Sequence, residues 1–147
     1  MATKAPAKRP PVKRQIRSCG TGVCDPERTQ GLKAPPPQGT TVLVNLRGPG
    51  VFVASEVNKQ GGNTGLTFVI LDIDGRNVVN MSYAAAQNLA LTQQNPFGVV
   101  LLGTGQIKTF TIGWPSPLRY ERELKLSVTV SEAGVVQILA NVVHGSV

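Results

Sequence analysis

The side chains with chemistry to offer are few and far apart. His144 is the only histidine, and a general base needs a reacting group within hydrogen-bond reach and a partner to orient it. Set in the apolar stretch Val135 to His144, it reads as a structural histidine. Asp72 and Asp74 would share one strand face, as a catalytic carboxylate pair must, but Asp74-Gly75 is a hairpin-turn signal and Asp72 then falls opposite Asn77. The run D-I-D-G also lacks the alternating acids and closing Glu of a calcium loop. Cys19 and Cys24 form a C-x4-C pair, short of the four N or S ligands that zinc takes. A disulfide across so small a loop is sterically feasible, yet reduced thiols are the cytosolic default, and free cysteines are the favoured reading. Gly103-Thr104-Gly105 lacks the G-K-[ST] ending of a phosphate loop. Trp114, between Gly113 and Pro115, suits a plug on the rim of a β-sandwich better than a platform for stacking a base. Neither G-x-S-x-G nor H-E-x-x-H occurs. The expectation is a protein that is not an enzyme and that holds no cofactor and no metal.

What the sequence concentrates is charge. Of the net +7, residues 1 to 38 contribute +6, eight Lys/Arg against two acids, and they hold seven of the eleven prolines and none of the seven aromatic residues. Such a segment has almost nothing to bury. Residues 1 to 38 therefore read as a basic extended arm, closed by the stiff spacer Pro35-Pro36-Pro37, and residues 39 to 147 as a β-sandwich module. Lys4, Lys8, Arg9, Lys13, Arg14 and Arg17 are the candidate partner-binding residues, because a cluster of uncompensated cations steers toward an anionic surface. Anchoring to protein is favoured. Nucleic acid is the next reading, since counterion release needs only charge, but no aromatic residue interleaves to stack on bases; a solubilising tail is the third. No run of 18 apolar residues exists, and no signal-peptide core follows the first charges, so no membrane partner is expected.

From Thr40 onward the pattern is that of strands and turns. It predicts eight strands: Thr40 to Arg47, Val51 to Val57, Leu66 to Ile73, Arg76 to Tyr83, Gly98 to Leu102, Gln106 to Ile112, Leu118 to Ser131 and Val135 to His144. One short helix is expected over Ser82 to Gln94, ended by Asn95-Pro96. A two-residue turn at Asp74-Gly75 pairs Ile73 with Arg76, Leu71 with Val78, Ile70 with Val79 and Phe68 with Met81. Period-two alternation then assigns Phe68, Ile70, Val79 and Met81 to the core, joined by Leu124, Leu126 and Val128. It leaves Val69, Leu71 and Val78 on the opposite face, as a possible oligomer face of a homodimer. The predicted fold class is all-β: an eight-stranded antiparallel sandwich, jelly-roll-like, with one short helical connection and an extended N-terminal arm. A different sandwich or a small barrel is the rival.

A basic arm, a proline spacer and an eight-strand sandwich with a spare apolar face, together with N-P-F-G at Asn95 to Gly98 and G-W-P-S-P at Gly113 to Pro117, resemble the jelly-roll cement, or decoration, proteins of tailed-phage heads. The resemblance implies a structural virion protein on the capsid surface, made in the host cytoplasm. Its module would bind the major capsid protein while its arm runs across neighbouring capsomers, and it would be a homo-oligomer, with a dimer favoured. The alternative is a small viral coat protein whose basic arm binds packaged nucleic acid.

Overall fold

The computed structural model describes residues 22–103 and 105–147. Nine strands and one helix follow in order: β1 (Cys24–Lys33), β2 (Gly39–Arg47), β3 (Gly50–Gly61), β4 (Thr67–Ile73), β5 (Arg76–Ser82), α1 (Tyr83–Asn88), β6 (Val99–Leu102), β7 (Ile107–Tyr120), β8 (Glu123–Val130) and β9 (Val135–Ser146). They form two sheets, β1-β9-β3-β7-β6 and β2-β8-β4-β5, and every pairing is antiparallel. The pairs β1·β9, β2·β8, β3·β7 and β4·β5 are those of a chain doubled back on itself at Asp74-Gly75 and then rolled up. That is a jelly roll, with β6 added at the edge of the larger sheet.

The expected eight strands become nine because β1 lies inside the stretch assigned to the arm. Only Cys24 and Gly31 of this strand are buried, so it carries no apolar alternation to be read. It is held instead by its backbone ladder to β9, from Lys33↔Ile138 to Cys24↔Ser146. Gly31 is required there, because a Cβ would run into the Leu43 carbonyl oxygen of β2. The boundary between arm and module therefore falls before Cys24 rather than after residue 38.

The hairpin β4–β5 begins as expected, with Ile73↔Arg76 and Asp72↔Asn77, and then shifts by one residue to Leu71↔Val79, Val69↔Met81 and Phe68↔Ser82. Val78 is the extra residue of a β-bulge, and the one-residue slip exchanges the faces of β4 relative to those of β5. Val69 and Leu71 are accordingly 0% exposed and cannot form an oligomer face. Phe68 and Ile70 are half-buried on the outer side of the sheet. Of the proposed face only Val78, at 40%, is exposed. The other expected core residues hold: Leu124, Leu126, Val128 and Val79 are buried, and Met81 packs against them.

The strand expected over Leu118 to Ser131 is two strands in different sheets. β7 continues past Gly113, and its register with β3 jumps from Ala54↔Gly113 to Phe52↔Leu118, so Trp114–Pro117 pair with nothing in β3. Prolines, which cannot donate to a ladder, are tolerated in such a stretch. Trp114 packs against the core edge-on to Phe52, with 6.5 Å between ring centroids. The chain then turns at Glu121-Arg122 because Asp74, at the tip of the β4–β5 hairpin, accepts the backbone N–H groups of Glu121, Arg122 and Glu123 at 2.9, 2.7 and 3.0 Å.

Those N–H donors, Glu121 first, then Glu123 and Arg122, hold the Asp74 carboxyl below its ordinary value. A depressed folded value means that the stabilisation is complete above the unfolded range, near pH 4, and is lost as pH falls through the folded value. The melting temperature should drop on acidification below about pH 4, and Asp74→Asn, which keeps the shape but does not titrate, should flatten that drop. An acid limb identical in the two proteins would show that Asp74 does not couple the two turns.

Helix α1 is shorter than expected. Ser82 caps it, accepting the Ala85 N–H at 3.0 Å, but Ala90 adopts φ 53° and ends the run. Leu91 then turns inward, and its carbonyl accepts the Leu101 N–H at 2.7 Å, giving the edge strand β6 a further tie.

Candidate functional site

Among the described residues, three places gather polar or exposed apolar side chains. The first is enclosed. Alternation along β3 turns Ser55, Val57 and Lys59 inward, and the turn between β8 and β9 folds Glu132 over the same end of the sandwich. Lys59 Nζ donates to both Glu132 oxygens at 3.1 Å, and Thr67 Oγ1 donates to Glu132 Oε2 at 2.9 Å. The ammonium lies 5.0 Å from the centroid of the Tyr83 ring, within cation–π range. Tyr83 stacks on Phe110 and donates its hydroxyl to the Val57 carbonyl at 2.6 Å. Burial, then the Glu132 charge, raises the Tyr83 phenol above its ordinary value. The Lys59 and Glu132 side chains are 3% and 0% exposed, so no substrate reaches them, and the Glu132 carboxylate is matched to donors. Sequence reasoning missed this pair. Its one local signal was Lys59 two residues beyond Val57, an inward position.

The second place is a cavity of about 280 Å³ lined by Asp25, Glu27, Arg47, Tyr120 and His144. His144 Nε2 lies 2.8 Å from Thr29 Oγ1, an arrangement that ties β9 to β1, and among the described residues no acid is hydrogen-bonded to the imidazole. Burial first and the Glu27 charge second raise the Tyr120 phenol. Among the described residues no nucleophile and base stand in line here. Elsewhere, Asp72 accepts from Asn77 Nδ2 at 3.0 Å, as the turn reading requires, and Asp74 is occupied by three backbone donors. Among the described residues no group of three or more His, Cys, Asp or Glu could hold a metal ion, and no helix is long and apolar enough to cross a membrane.

The third place is the outer surface of the two sheets. On the smaller sheet Val42, Ser127 and Ile70 stand in register, as do Thr40, Thr129 and Phe68, an apolar patch edged by hydroxyls. On the larger sheet the outward rows run Arg28, Val143, Ala54, Gly113, then Gln30, Asn141, Glu56, Thr111, Val100, then Leu32, Leu139, Asn58, Thr109, Leu102. The small side chains of Ala54 and Gly113 leave a groove of about 460 Å³, flanked by Arg28, Glu56, Val100 and Val143. Asn141 Nδ2 donates to Glu56 Oε1 at 2.9 Å.

The arm residues Lys4, Lys8, Arg9, Lys13, Arg14 and Arg17 lie outside the described residues, as does Cys19. Cys24 is disulfide-bonded, which corrects the expectation of a free thiol at that position. No protein-family model matches the chain, and no curated protein matches it in sequence.

Proposed function

We propose that this is a structural virion protein, a decoration protein that binds the outside of a capsid shell through its jelly roll and braces the shell with its basic arm. The observation that carries the reading is the separation of labour along the chain. Residues 1 to 17 hold six Lys/Arg and no acid, and they precede a β-sandwich in which His144, Asp72, Asp74, Lys59 and Glu132 are all engaged in holding the fold. The half-buried Phe68 and Ile70, with Val42 beside them, supply an apolar outer patch of the kind that marks a protein interface.

The same acid-free basic run favours one second reading, a small coat protein whose arm meets packaged nucleic acid. The two separate in a salt series. Six phosphate contacts would give a slope of log affinity against log salt of about −5, whereas binding to a protein surface should fall more gently, because apolar contacts survive screening. Removal of residues 1 to 17 spares Cys19 and every described residue, so the shortened chain should keep its melting temperature while its affinity for empty capsid shells of its own virion falls. Undiminished shell binding would sink the anchoring role of the arm, and tight binding to nucleic acid alone would establish the coat-protein reading. Removal of residues 1 to 38, by contrast, takes away β1 and should lower the melting temperature clearly.

A further inference from the structure

We infer that the outer face of the β1-β9-β3-β7-β6 sheet is the interface of a twofold dimer with a second copy of this chain, in which Arg28 of each copy meets Glu56 of the other. In the three outward rows of this face only Arg28 and Glu56 are charged, and depletion of charge marks the centre of protein interfaces. Leu32 and Leu102, at 52% and 48% exposed, and Val143 leave apolar surface open. Among the described residues neither Arg28 nor Glu56 has an ion-pair partner. The carboxylate is nonetheless held in place by Asn141.

The placement of the two charges selects the occupant. Arg28 on β1 and Glu56 on β3 flank the central β9, one beside Val143 and the other beside Asn141. An isologous contact sets each patch against itself. With the twofold axis lying in the face over β9, between Val143 and Asn141, both Arg28–Glu56 pairs form at once. The face is electrically neutral as a whole, so it offers no attraction to the basic arm or to nucleic acid. Its size also fits. Five strands about 4.8 Å apart and rows about 6.8 Å apart make a surface of roughly 500 Å², so two copies would bury on the order of 1,000 Å², the lower bound of a specific interface.

The test uses the purified full-length chain, without shells or nucleic acid, so it stands or falls separately from the proposed function. Sedimentation velocity over a concentration series should show a dimer. Arg28→Glu and Glu56→Arg, each at an exposed position, should each keep the parent's circular dichroism and melting profile yet raise the dimer Kd on the order of a hundredfold, because like charges then face each other twice. Mixing the two single variants should yield a 1:1 heterodimer, and the double charge swap should restore the homodimer. A monomeric parent at the highest concentration would overturn the inference. So would single variants that still dimerise, or a mixture that fails to associate.

Discussion

Replacing Glu132 by Ala should be the most damaging single change in the module, costing about 3–5 kcal/mol, a large part of the 5–15 kcal/mol that holds a typical domain together. The cost does not measure the value of the ion pair. It arises because Lys59, 3% exposed, is left as an uncompensated cation between β3 and Tyr83, and because Thr67 loses its acceptor. Removing both charges is a different experiment. Lys59→Met combined with Glu132→Leu takes away the desolvation penalty of two ions along with their attraction, and such replacements are often neutral or stabilising. The double variant should therefore recover most of the loss in urea unfolding, and the coupling between the two positions should be strongly non-additive. A Glu132→Ala protein within about 1 kcal/mol of its parent would mean that water reaches Lys59 and that the end of the sandwich is open.

What could be read in the sequence was whatever depends on neighbours along the chain. Alternation located the inward face of β8, the Asp-Gly dipeptide located the central hairpin, and Ser82 marked the start of α1. Features set by partners distant in sequence were invisible. β1 shows no periodicity because its place is fixed by backbone pairing with β9, more than a hundred residues away. The break at Glu121-Arg122 is set by Asp74 on another hairpin, so an apolar period from Leu118 to Val130 that only Arg122 interrupts concealed a crossing between sheets. Lys59 and Glu132, 73 residues apart, carry no mutual signal at all. The bulge at Val78 is the most instructive case, since every residue of the hairpin was assigned to a strand correctly and half of them to the wrong face.

That slip yields a sharp contrast between two positions three residues apart on β4. Leu71→Ala should cost about 2–5 kcal/mol, because the side chain is wholly enclosed between the sheets and its loss leaves a cavity that the packed neighbours cannot close. Phe68→Ala removes a larger side chain but should cost less, about 1–2 kcal/mol, since Phe68 lies on the outer face, where water fills the vacated space and only lost apolar contact counts. The ranking by size alone is the reverse. It is also the reverse of what an unbroken ladder from the Asp74-Gly75 turn requires, because pairing Leu71 with Val78 would put Phe68 in the core and Leu71 outside. Denaturant unfolding of the two variants thus reads the register directly. If Phe68→Ala proves the more destabilising, the bulge at Val78 is absent in solution; if Leu71→Ala does, the bulge sets which side of β4 faces the core.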